Sequence, residues 1–130
     1  VELLDHEIVI VPAALSDFAP TKAFKGKIPS DEKFEADFAP VPKVLPLIRR
    51  KCDKVIGFKA ESGLTDEQLV KRARARLEEY GLSAVVANDI DAAGMSSSSA
   101  VLVTKFKAAD ISGTKIAISD FILDFCSESL

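Results

Sequence analysis

Apolar residues in this chain fall in short blocks whose spacing shifts between that of strands and that of helices. Residues 8–13 form a continuous apolar run with β-branched side chains, which predicts a buried strand. Residues 15–28 contain Pro20, Gly26 and several lysines and read as a long loop of the functional kind. Residues 33–38 alternate strictly, with Phe34, Ala36 and Phe38 against Lys33, Glu35 and Asp37. That alternation predicts an antiparallel strand with one solvated face. Residues 42–51 read as a helix with Val44, Leu45 and Ile48 on one stripe. Pro46 lacks an N–H and must lie in or near the first turn.

The segment 55–90 is the most regular. A strand at 54–58 ends in Lys59 and Glu61, and one at 83–87 ends in Asn88 and Asp89. Between them runs a helix with Leu69, Ala73, Leu77 and Tyr80 as its apolar stripe and Arg72 and Arg76 beside it. Thr65 and Gln68 fit a capping box, and Gly81 fits the C-terminal stop. In an open parallel sheet, ligands bind outside the carboxyl ends of the strands, where these polar residues sit. A further strand is predicted at 100–106. Ile118, Phe121, Ile122 and Phe125 predict a closing amphipathic helix. Ser96–Ser99 reads as a loop.

The length of 130 residues suits one domain spanning 1–130. The chain opens on Val1 and a helix-like VELLDHE before its first strand. It therefore reads as the C-terminal portion of a larger domain whose N-terminal part is absent; a whole protein that has lost its Met is the alternative. A net charge of −3 and a pI near 5.2 argue against nucleic acid as a partner, while leaving room for a local phosphate site. Cys52 and Cys126 lack metal-ligand or redox spacing and read as reduced, structural thiols of a cytoplasmic protein. No apolar run approaches membrane-spanning length, so no membrane partner is expected. No metal-ligand set is visible, and the single His6 reads as a surface residue.

Four motifs occur in order: AALSDF from Ala13, GKI from Gly26, GFKAE from Gly57 and VVANDI from Val85. With this spacing the chain, from about residue 8 to 103, resembles the phosphopantothenoylcysteine synthetase family, the phosphopantothenate–cysteine ligases of coenzyme A biosynthesis. The resemblance implies an α/β, three-layer, Rossmann-like mostly parallel sheet with an antiparallel extension. It also implies a reaction. The carboxylate of 4′-phosphopantothenate attacks a nucleoside triphosphate, CTP or alternatively ATP, and cysteine then displaces the nucleotide from the acyl-nucleotide. Mg²⁺ would ride with the triphosphate. FMN is expected only if a flavin decarboxylase is fused upstream.

Position by position, the resemblance places the backbone of Val11 to Ala13 against the nucleotide, and Ala13 and Ala14 near the pantothenate arm. Asp17 matches a nucleotide-contacting aspartate, and Lys27 matches the lysine that reaches the phosphates and is the catalytic candidate. Pro42, Lys43, Val44 and Leu45 match a helix start that packs on the nucleotide. Phe58 matches an aromatic nucleotide contact, Arg76 a phosphate-binding cation and Asn88 a pantothenate-binding amide. Family members are dimers, and the 33–38 strand is a plausible dimer arm.

Two departures stand out. Tyr80 replaces a second lysine of the family. In GMSSSSAV, Gly94 and Ser97 are retained, but Met95, Ser98 and Ala100 replace aromatic, acidic and amide residues. The family's glycine-rich turn and catalytic asparagine belong to the absent N-terminal part, so the chain alone is expected to lack ligase activity.

Simpler readings exist for each residue. Lys27 suits a solvated loop, Asp17 an Asx-turn before Pro20, and Phe58 and Tyr80 the core. Asn88-Asp89 suits a turn, and Arg72, Arg74 and Arg76 a solvated face paired with Glu78 and Glu79. The rival functions are a non-catalytic nucleotide-binding or dimerisation fragment and a Rossmann-like domain for another phosphorylated metabolite.

Overall fold

A computed structural model describes residues 5–90 and 98–130. The chain order is β1 (Ile8–Val11), β2 (Phe18–Pro20), β3 (Phe38–Pro40), α1 (Val44–Arg49), β4 (Lys54–Glu61), α2 (Asp66–Tyr80), β5 (Ala84–Asp89), β6 (Ser98–Val103), β7 (Ala108–Gly113) and α3 (Lys115–Ser129). The main sheet has the order β1-β4-β5-β6-β7. β1, β4 and β5 are parallel neighbours, β6 runs against β5, and β7 turns back to share the direction of β5. The expected mostly parallel α/β sheet with an antiparallel extension is therefore present.

Strand alternation divides the core into two layers. On one face Val55, Val85, Ala87, Val101 and Val103 meet Leu45 and Ile48 of α1 and Leu69, Ala73 and Leu77 of α2. On the other, Ile56, Ala84, Val86, Leu102 and Ile111 meet Ile122 and Cys126 of α3. Helices on both faces make three layers.

The predicted signals of α2 are all used. The Thr65 hydroxyl accepts from the Gln68 N–H at 3.3 Å, and the Thr65 N–H donates to Gln68 Oε1 at 3.0 Å. Gly81 ends the helix in the left-handed region at φ 63°, where a Cβ would be strained. Pro46 is the third residue of α1, inside its first turn, where its missing N–H has no intrahelical acceptor to serve.

Four expectations need correction. The strand at 33–38 does not form over 33–37. Its neighbours β2 and β3 make a short separate ladder, Phe18 opposite Pro40 and Pro20 opposite Phe38. The Thr21 N–H donates to the Asp37 carbonyl at 2.9 Å and the Val41 N–H to the Asp17 carbonyl at 3.0 Å just beyond it, and Phe34 packs edge-on against Phe24, with centroids 4.7 Å apart. The strand at 100–106 starts earlier and stops at Val103, because buried Thr104 folds the chain back. Its hydroxyl accepts from the N–H groups of Phe106 (3.3 Å) and Lys107 (3.1 Å), leaving Phe106 86% exposed at the hairpin tip. β7 follows, unforeseen because Ile111 is its only fully buried side chain. In α3, Ile122 and Cys126 are buried, whereas Phe121 is 38% exposed at the edge of the stripe.

Ser98 and Ser99 belong to β6 rather than to a loop. Gly94, Met95, Ser96, Ser97 and the opening VELL lie outside the described residues.

Candidate functional site

A cavity of about 330 Å³ opens on the α1/α2 face of the sheet. Val11, at the carboxyl end of β1, leads into the backbone of Pro12, Ala13 and Ala14, then Leu15, Ser16 and Asp17. Lys43, Val44 and Leu45 at the start of α1 form a second wall. Phe58, Lys59 and Ala60 of β4, Arg76 and Tyr80 of α2, and Asn88 of β5 complete it. The small side chains of Ala13 and Ala14 let a ligand approach the main chain closely.

Most of the residues singled out from sequence thus meet in one place: Val11, Ala13, Ala14, Asp17, Lys43, Val44, Leu45, Phe58, Arg76 and Asn88. Two do not line it. Pro42 is exposed one residue before the wall made by Lys43, and Lys27 is exposed in the loop between β2 and β3. That loop turns at Gly26, whose φ of 88° suits glycine.

Ser16, Leu15 and Ala60 line the cavity without having been singled out, and Lys59, noted only as a polar residue at its strand end, lines it too. Lys59 had a readable signal. It falls two residues after Gly57 and four after buried Val55, on the strand face that turns to α2. A charge there can only be at the strand's open end.

The cleft is cationic and its charges are paired. Lys43 Nζ forms an ion pair with the Asp17 carboxylate. Asp17 therefore titrates below its ordinary 3.8, through the Lys43 hydrogen bond and charge first, with Arg76 and Lys59 adding smaller pulls. The local turn that was the simpler alternative for Asp17 is made by Ser16, whose hydroxyl donates to the Phe18 carbonyl at 2.6 Å.

Lys59 Nζ lies 3.1 Å and Arg72 Nη1 3.3 Å from Glu61 Oε1. Burial pushes the Glu61 carboxyl up, but the two cations outweigh it and hold it below its ordinary value. Arg76 Nη1 donates to the Tyr80 hydroxyl at 2.6 Å.

The Asn88 side chain makes no hydrogen bond among the described residues. It also faces a larger groove of about 660 Å³ on the α3 side, lined in part by Ser98, Ser99, Lys115 and Ser119. Pro12, Phe58 and Asn88 line both spaces, so a ligand could pass from one to the other over the strand ends. Phe58 also packs on the α3-side core while lining the cavity.

Among the described residues, no group of three or more His, Cys, Asp or Glu could hold a metal ion. Lys43, Lys59 and Arg76 outnumber Asp17 among the charged side chains that line the cavity.

Residues 2–128 match the model of the DNA/pantothenate metabolism flavoprotein C-terminal domain. The chain belongs to this family. It is 38% identical over 124 residues to the coenzyme A biosynthesis bifunctional protein CoaBC of Methanocaldococcus jannaschii, covering 92% of this chain and 30% of that protein. This chain therefore spans under a third of that relative's length. The fold is shared with the DNA/pantothenate metabolism flavoprotein of Streptococcus pneumoniae, at TM-score 0.80 and 23% identity over 95% of this chain and 63% of that one. It is shared also with a Cab2 variant in complex with phosphopantothenate-cysteine, at TM-score 0.64 and 21% identity over 87% and 40% of the two chains. For these two structures the likeness is one of family fold. No helix among the described residues is long and apolar enough to cross a membrane.

Proposed function

We propose that this chain forms the nucleotide-binding wall of a phosphopantothenate–cysteine ligase of coenzyme A biosynthesis. The observation that carries the reading is the cavity itself. It gathers small-residue backbone, two aromatic rings, three cations, one carboxylate and an amide at the carboxyl ends of parallel strands. The CoaBC relative and the Cab2 complex with phosphopantothenate-cysteine support the substrate class.

In this reading the nucleotide base and sugar lie against Val11, Ala13, Asp17, Val44, Leu45 and Phe58, and the triphosphate meets Arg76. Pro42 would shape the entry to the α1 wall. The pantothenate arm passes Ala13 and Ala14 toward Asn88. The substrate carboxylate oxygen bonds to the α-phosphorus and pyrophosphate leaves. The cysteine amine then bonds to the acyl carbon, the nucleoside monophosphate leaves, and the amine proton is released.

Negative charge builds on the phosphates in the first step, so positioned cations lower its barrier. Lys27 is the proposed catalytic cation, brought to the phosphates by its loop once nucleotide is bound. Mg²⁺ would supply further charge neutralisation as part of the triphosphate complex. CTP is the proposed co-substrate, with ATP the alternative, and FMN has no role unless a decarboxylase is fused. A cytoplasmic homodimer, joined through the β2/β3 arm, completes the proposal.

The test is calorimetry of the full-length protein with Mg·CTP and Mg·ATP, followed by turnover with 4′-phosphopantothenate and cysteine. Binding of neither nucleotide would sink the reading. A second reading, a nucleotide-binding fragment without catalysis, is favoured by the position of Lys27 outside the cavity; nucleotide binding without turnover in the full-length protein would select it.

A further inference from the structure

We propose that Tyr80 is a positioning residue that fixes the Arg76 guanidinium at the cleft, readying it for the phosphates of a nucleoside triphosphate. This rests on the nucleotide reading above and adds a residue to it.

Arg76 and Tyr80 are one helical turn apart on α2, so their side chains are neighbours. The Tyr80 ring is anchored from behind, packed against the apolar layer that holds Leu77 and Leu45. The front of the same side chain grips Arg76 twice. Its hydroxyl accepts from Nη1 at 2.6 Å, and the guanidinium carbon lies 4.9 Å from the ring centroid. The first contact is a charge-assisted hydrogen bond and the second a cation–π contact. Glu79, the other partner, is 3.5 Å from the same nitrogen through a more exposed side chain, a weaker kind of pair.

Both polar contacts, with Tyr80 and with Glu79, are made by Nη1. Nε and Nη2 make no hydrogen bond among the described residues. Arg76 and Tyr80 both line the cavity, and the arginine's charge is felt at Asp17 across it. A free arginine loses considerable side-chain freedom when it binds an anion. Tyr80 removes part of that loss in advance, while leaving the outer edge of the planar fork open for bidentate contact. A cation at position 80 would repel Arg76; a phenol holds it.

The competing explanation is a helix-surface pair that serves only stability. Calorimetry of the full-length protein, with Mg·CTP and Mg·ATP set against the corresponding monophosphates, separates the two. Tyr80→Phe keeps the ring and removes the acceptor. It should weaken triphosphate affinity about five- to tenfold, leave monophosphate affinity within about twofold, and leave Tm unchanged. Arg76→Lys, which keeps charge but loses the fork, should show the same selectivity loss. The double variant should be no weaker than Arg76→Lys alone, since the two act through one contact.

Wild-type triphosphate affinity in Tyr80→Phe, or fully additive losses, would overturn the role of Tyr80 and leave the nucleotide reading standing. A wild-type protein that binds neither nucleotide overturns both. If Tyr80→Phe does not fold, an Arg76→Lys variant with unaltered triphosphate-over-monophosphate selectivity is enough to reject the inference.

Discussion

Asp17 shows how a single carboxylate can report on the whole cleft. It is held by Lys43 and feels Arg76 and Lys59 as well. Its folded pKa is depressed, so the pair's contribution to folding is complete above the ordinary value of 3.8 and is lost as pH falls through the lower folded value. An NMR titration of the Asp17 carboxyl carbon should give a midpoint below 3.8, rising toward it in Lys43→Met. A midpoint at the ordinary value in the wild type would mean that the pair does not persist in solution. Lys27 invites a different measurement, because it is exposed and outside the cavity. If the proposed ligase reading holds, Lys27→Ala in the full-length protein should cut kcat about 100-fold or more, in the range seen when one transition-state electrostatic contact is removed. Nucleotide affinity and Tm should change little, and wild-type turnover would remove Lys27 from the mechanism. The family resemblance singled out Asp17, Phe58, Arg76 and Asn88, and the fold brings all four to the cavity wall. Ser16 was missed because cavity walls are set by how the elements meet, which spacing along one element does not encode.

At the scale of elements, legibility follows local completeness. α2 carries its own start, stripe and stop, so capping box and glycine stop appear where expected. Removing the start has a bounded cost. Thr65→Ala should destabilise by about 1 kcal/mol and lower Tm by roughly 3–5 °C, while Thr65→Ser should retain most of the stability. Thermal unfolding of the two variants checks this, and equal losses would show that the hydroxyl cap is not what matters. The 33–38 alternation misled because period two reports which side chains could share a face, not whether a partner strand is available. Only Phe38–Pro40 finds one, in β2. β7 was invisible for the opposite reason. It lies at the sheet edge with Ile111 as its only fully buried side chain, so the pairing with β6 forms it rather than an apolar pattern.

The whole molecule places two helical layers on one sheet and leaves the β2/β3 arm with little apolar cover. Leu15, Phe18, Phe24, Ile28, Phe34 and Phe38 are all exposed on or beside that arm, Phe38 at 61%. Scattered apolar residues are ordinary on a surface, but such a concentration on one short extension is a mark of an interaction site. The arm also presents three-residue strands whose outer edges are open to pairing. A second copy of the chain supplies both a matching apolar surface and a matching edge, and closed two-fold pairing is the commonest way for a homo-oligomer to use them. Sedimentation equilibrium should therefore give twice the chain's 14.0 kDa, or twice the full-length mass for the complete protein. Phe38→Asp places a charge where the side chain already meets solvent, so it should not disturb the protomer fold. It should convert the dimer to monomer with far-UV circular dichroism unchanged. A wild-type monomer at tens of micromolar, or a Phe38→Asp dimer of undiminished affinity, would remove the arm from assembly and leave its exposed rings to another role.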